Sequence, residues 1–201
     1  MHTSARFTLG VSAVLAAISL AACSSSGGSG DKAGSSSPNT TSSSSPAPSS
    51  SSSSAATTDY TSLLIAPSDI PVPGVTEGTP SAPPQGTGVT VAFTADGGRS
   101  VGDTIVILPD AAAAQSAVQT AVAAAKQGVT GAEVSDAPIG GGGTAIRGTT
   151  SDGAVAILIF SEGKALVVLQ FESGANDPVP TDVIQQVATA QDSKIKSGLS
   201  N

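Results

Sequence analysis

The chain has 201 residues, with 8 Lys plus Arg against 15 Asp plus Glu, 23 Gly, 13 Pro, 1 Cys, 1 His, 1 Met and no Trp. A net charge of -7 with no basic cluster argues against nucleic acid as a partner. Met1 and His2 fall in a segment read below as removed and Cys23 is the only thiol, so Ser-His-Asp or Cys-His catalysis, histidine or cysteine zinc sites and internal disulfides are excluded, and no cofactor is expected.

Arg6 is the only charge before residue 31, and the 16 residues from Phe7 to Ala22 are uncharged and end in small side chains. This is the layout of a secretory signal: a charged start, an apolar run and a small-residue cleavage site. A spanning helix needs about 20 apolar residues, and this run is shorter and carries Thr8, Ser12 and Ser19. Leu20-Ala21-Ala22-Cys23 resembles the bacterial lipobox. The resemblance implies cleavage before Cys23, with Leu20, Ala21 and Ala22 as the recognition residues and a diacylglyceryl group on the cysteine. Two acyl chains anchor stably where one binds marginally. The expected location is thus the extracytoplasmic face of the cell membrane, with the membrane itself as a partner through the lipid.

From Ser24 to Thr58 there is no aromatic residue and no Leu, Ile or Val, and Ser fills 17 of 35 positions. Such a segment buries too little apolar area to offset its ordering entropy, so a disordered tether is expected. Its Ser, Thr and Pro content also resembles O-glycosylated stalks. The expected organisation is a signal peptide over 1–22, the lipidated cysteine and tether over 23–58, and one globular domain over 59–201.

In that domain 14 acidic residues stand against 6 scattered basic ones. Asp59 suits the cap of a short helix through Tyr60 and Ile65, stopped by Pro67. Val89, Val91 and Phe93 alternate with Thr90, Ala92 and Thr94, which predicts a half-buried strand. Asp96-Gly97-Gly98 turns the chain into a second strand ending at Leu108. Asp110 then caps an alanine-rich helix with the stripe Ala114, Val118, Ala121, Val122 and Ala125, and Gly128 suits a left-handed C-terminal position.

A weak strand near Glu133 to Ser135, the Gly140–Gly143 loop and a strand over Thr144 to Thr149 follow. Val155–Phe160 and Ala165–Phe171 form a hairpin about Ser161-Glu162-Gly163-Lys164. A last helix starts at Thr181 or Asp182, presents Val183, Ile184, Val187, Ala188 and Ile195, and ends at Gly198. The order predicts an α+β fold: an antiparallel sheet of about five to six strands with two main helices packed against a face, arranged as two ββα units.

The last two strands are apolar on both faces, so each face is either covered or open as an apolar groove. The groove reading makes Val155, Ala156, Ile157, Leu158, Leu166 and Val168 the candidate ligand-binding residues. An apolar cavity of about 300 Å³ or more is the expected mark of such a ligand site.

The lipobox, the Ser/Thr/Pro tether and an acidic Ala/Gly-rich domain together resemble the small cell-wall lipoproteins of high-GC actinobacteria, mycobacteria in particular. Leu63-Leu64-Ile65-Ala66-Pro67-Ser68-Asp69-Ile70-Pro71, Gly163 to Val168 and Val187 to Lys196 resemble the extracellular sensor domains of mycobacterial Ser/Thr kinases. Ile139 to Gly148 with the strands that follow is similar to mycobacterial PsbP-like lipoproteins. These resemblances imply binding or sensing rather than catalysis.

Ser161-Glu162-Gly163-Lys164 and Lys196-Ser197-Gly198 match two motifs of penicillin-recognising enzymes, but that serine must open a helix and this one falls in a hairpin. Gly140 to Thr144 lacks the Lys-Ser/Thr opening a helix that a phosphate loop needs. Asp96, Asp103, Asp110, Asp152 and Glu162 read as turn and cap residues. The expected function is a surface-anchored, non-catalytic binding or sensory lipoprotein, taking an apolar envelope molecule or a partner protein. A carboxylate-dependent wall hydrolase and a spacer without ligand are the rivals.

Overall fold

The structure is a computed structural model, and it describes residues 59–199. The signal, lipobox and tether readings, Leu20 to Cys23 included, fall outside the described residues. Within them the chain forms seven strands and two long helices. In chain order these are β1 (Thr76–Glu77), β2 (Thr87–Ala95), β3 (Arg99–Ile107), α1 (Ala111–Gln127), β4 (Thr130–Ala137), β5 (Gly143–Thr150), β6 (Gly153–Glu162), β7 (Ala165–Ser173) and α2 (Thr181–Leu199). The strands form one sheet in the order β1-β2-β3-β7-β6-β5-β4, and every ladder is antiparallel.

The α+β class stands, and two details differ from expectation. The sheet has seven strands, because the two-residue β1 pairs Thr76 with Thr94 and Glu77 with Phe93 at one edge. The helices pack on opposite faces of the sheet, so the two ββα segments do not form one repeated layer.

Alternation within the strands assigns the faces. Val89, Val91 and Phe93 of β2, Val101 and Ile105 of β3, Val167, Leu169 and Phe171 of β7 and Ala156, Leu158 and Phe160 of β6 all join one core. The α2 residues Ile184, Val187, Ala188 and Ile195 cover it, together with a strap of two 3-10 turns, Thr61–Leu63 and Pro67–Asp69. Phe93, Phe160 and Phe171 are all fully buried in this layer, which explains why it needs both a helix and a strap to close it. The opposite core holds Ile146, Val155, Ile157, Ile159 and Leu166 under Val118 of α1. There the small side chains Ala114, Ala117, Ala121 and Ala125 let the helix lie close to the sheet.

Local signals set the ends. Asp110 is extended and its carboxylate accepts from Ala113 N at 2.8 Å, so it caps α1 as its position predicts. Asp59 Oδ1 accepts from Thr61 N, and this holds the Asp59 carboxyl below its ordinary range. Gly128 is right-handed, φ -90°, rather than left-handed, and its N–H closes on Ala125 and Lys126 carbonyls. α2 runs through Gly198 to Leu199. In the β6–β7 hairpin Glu162 pairs with Ala165, so the loop is only Gly163-Lys164, with Gly163 at φ 53° as a tight primed turn requires.

Candidate functional site

α1 packs over β4 to β7 and its core reaches Val106 near the end of β3, and among the described residues no helix covers the same side of β2 or of β3 up to Thr104. Register builds this open face in rows that run across the strands. One row is Thr76–Thr94–Ser100–Glu172, the next Ala92–Gly102–Gln170, and the next Thr90–Thr104–Val168. Strand rise separates successive rows by about 7 Å. Ala92 and Gly102 face each other with little bulk, so the middle row forms a shallow trough closed at one end by Gln170. Ala92 and Thr94 are exposed, and Thr90, Ser100, Thr104, Gln170 and Glu172 are half-buried.

The polar groups of this face are mutually ordered. Thr90 Oγ1 and Thr104 Oγ1 lie 2.7 Å apart. Gln170 Nε2 donates to Glu172 Oε1 at 2.7 Å, and Ser100 Oγ donates to Glu172 Oε2 at 3.1 Å. Both oxygens of Glu172 are thereby engaged, which fixes its side chain, and Thr90 Oγ1 also donates to Asp103 O at 3.2 Å, so both threonine hydroxyls donate within the sheet and only their lone pairs face outward. The result is a flat, ordered, largely neutral hydrogen-bonding surface with no aromatic side chain on it.

A second polar feature lies under the strap on the α2 side. Asp103 is paired with Val91 and Leu169 in register, points into the apolar core and is 0% exposed. Its Oδ2 accepts from Ile65 N at 3.5 Å, and its Oδ1 has no partner. Burial pushes the carboxyl up to about 7, opposed by the Ile65 N–H. Gln191 of α2 is also 0% exposed, and its Nε2 donates to Leu63 O at 2.8 Å while its Oε1 has no partner. The strap is thus held at Leu63 from the helix and at Ile65 from the sheet. Both residues were legible in part: Asp103 occupies the inward register of Val101 and Ile105, and Gln191 sits on the stripe of Val187, Ala188 and Ile195. Reading carboxylates as surface groups concealed the first, and an apolar-only stripe concealed the second.

The six groove candidates do not share a surface. Val155, Ile157, Leu166 and Val168 face α1, and Ala156 and Leu158 face α2 and the strap. Val168 is half-buried and the other five are buried, at 9% exposure or less. The apolar cavity beside Ile70, Phe93, Val101, Phe171 and Val183 holds about 20 Å³, enough for a single water. A more open cleft of about 360 Å³ is lined by Ala111, Glu162, Lys164, Ile195 and Lys196 and is of mixed polarity.

The remaining sequence candidates occupy separate places. Asp96 opens the β2–β3 turn, Asp110 caps α1, Asp152 sits in the β5–β6 turn and Glu162 lies 3.9 Å from Lys196. Ser161 lies within β6 at 2% exposure rather than in a turn. Gly141 N donates to Ser161 O and Gly142 N to Ile139 O, so these two amides of the glycine loop serve the chain itself. Among the described residues no three His, Cys, Asp or Glu side chains gather as a metal site, and no helix is long and apolar enough to cross a membrane.

No protein-family model matches the chain, and no curated protein matches it. Among solved structures, the extracellular domain of PknH from Mycobacterium tuberculosis matches with a TM-score of 0.45 and 14% identity, over 67% of this chain and 93% of that one.

Proposed function

We propose that this is a lipid-anchored, non-catalytic protein of the cell envelope, of the kind found as small cell-wall lipoproteins in high-GC actinobacteria. Its folded part binds or senses a partner protein through the open face of β2, β3 and β7. The anchoring half rests on Leu20-Ala21-Ala22-Cys23 at the end of an uncharged run. The binding half rests on the ordered polar rows about Gly102, which form a flat surface suited to a macromolecule. The apolar cavity beside Phe93 holds about 20 Å³, too little for a lipid tail, and the cleft of about 360 Å³ is of mixed polarity, which supports a protein partner over an apolar envelope molecule.

Two experiments separate the halves. Wild type should carry a diacylglyceryl group on Cys23, and Cys23→Ser should leave unacylated precursor of full length. A Cys23→Ser form that is processed and membrane-bound like the parent overturns the anchor. For the surface, Gly102→Arg places a long cation in the trough, where an added Cβ meets nothing nearer than 3.8 Å. Crosslinking in envelope preparations should lose its protein adduct with Gly102→Arg and keep it with Lys126→Glu on exposed α1. Equal adducts from both variants overturn the open-face reading.

A further inference from the structure

We propose that the Tyr60–Ile70 strap is a pH-released latch, in which Asp103 holds the strap while protonated and frees it on ionisation. Asp103 meets one donor, Ile65 N, at the 3.5 Å limit of a hydrogen bond, and its second oxygen meets none. An ionised carboxylate in that position lacks the several strong donors it needs. Water can reach it by release of the strap, which also uncovers Leu63, Leu64, Ile65 and Ile70, each buried at 6% exposure or less. Ladders hold β2 and β7 on either side, and α2 is a 19-residue helix. The strap, in contrast, consists of two three-residue turns held by few backbone bonds.

Among the described residues no other charge faces Asp103 to stabilise its anion. Its lateral neighbours are Val91 of β2 and Leu169 of β7, and α2 contributes Ile184, Val187, Ala188, Ile195 and the neutral Gln191 to the same core. On the strap, Tyr60 packs at the rim of that core and the Asp69 carboxylate accepts from Ala66 N. Glu172 of β7 belongs to the opposite face, Arg99 of β3 pairs with Asp177, and Asp192 of α2 bonds Lys196. The rise in the Asp103 carboxyl accordingly comes from burial, with the Ile65 N–H opposing it. Lifting the strap breaks the Ile65 contact and the Gln191–Leu63 bond together and hydrates the carboxylate.

The sign follows from linkage. The closed strap keeps Asp103 protonated, the open strap lets it ionise in the ordinary carboxylate range, and opening therefore increases as pH rises between the two. Hydrogen exchange of the full chain, corrected for intrinsic rates, should show peptides over 60–70 opening on the order of tenfold or more from pH 5 to pH 7. Peptides in β6 and β7 should hold their protection. Asp103→Asn, neutral at every pH, should remove the dependence. Equal strap protection at both pH values overturns the latch, as does concerted opening of strap and sheet, or persistence of the effect in Asp103→Asn. Should that variant not fold, carboxyl-carbon NMR of the wild type decides: a titration midpoint near 4 for Asp103 overturns the latch, and one near neutrality supports it.

Discussion

Gln191 and Leu63, 128 positions apart, are joined by a 2.8 Å bond from Nε2 to the Leu63 carbonyl in a fully buried setting. This bond ties the last helix to the first turn of the folded region. Gln191→Ala strands the Leu63 carbonyl without a donor, so the expected cost is about 1–3 kcal/mol. The midpoint of urea unfolding measures it, and an unchanged midpoint contradicts the pairing.

Asp103 gives stability its own pH dependence. Its carboxyl is raised from 3.8 to about 7 in the folded chain. Its contribution is therefore complete below about pH 4, falls as pH rises toward 7 by at most about 1.4 kcal/mol per pH unit, and changes no further above that. The stability difference between wild type and Asp103→Asn, followed by urea unfolding from pH 4 to 8, should move in wild type's disfavour with that sign. A difference independent of pH contradicts the buried placement.

The faces of β6 can be tested by overpacking. Ala156 points toward α2 and Ile157 toward α1, and both faces are covered. Ala156→Phe and Ile157→Phe should each cost about 1–3 kcal/mol. A fall in melting temperature for both agrees with two packed cores, and an unaffected variant identifies an open face.

Glycines differ in what a methyl group meets. A Cβ at Gly143 lies 2.8 Å from Phe160 Cβ and 2.9 Å from Ile159 O, so Gly143→Ala should destabilise by about 1–3 kcal/mol. Gly163→Ala meets no atom but holds φ 53°, and should cost about 1 kcal/mol through backbone strain. Gly102→Ala should fall within about 0.5 kcal/mol of wild type, as a surface change without strain does. Thermal unfolding of the three variants ranks them.

The strands and helices were legible because their signals are local: Val89 to Thr94 alternates, Asp110 precedes an alanine stripe, and Asp96-Gly97-Gly98 has only a turn to make. That β6 and β7 are apolar on both faces was legible as well, from Val155 to Phe160, and it left a covered core and an open groove as alternatives. Which helix covers which side was not, since it depends on where α1 crosses after β3. Thr76 and Glu77 carry no pattern of their own and become a strand only because β2 offers an edge. The open face was hidden for the same reason, as Thr90, Ala92 and Thr94 read as an ordinary solvated side until α1 is seen to miss them. Gly128 departs from the left-handed expectation because its N–H finds the Ala125 and Lys126 carbonyls without such a turn.

The β3–β7 ladder has a consequence for the order of assembly. Within β2–β3 and within β4 to β7 each strand pairs with its neighbour in sequence, whereas the Ser100–Glu172 contact spans 72 positions. Loop-closure entropy therefore delays this seam relative to the two local meanders, and non-local pairing of this kind sets folding speed. α1 leaves the chain at the end of β3 and packs on the far meander, so it links the two meanders on one face as the seam links them edge to edge. The alanine-rich helix is thus a bridge between the two halves as well as a cover for the sheet.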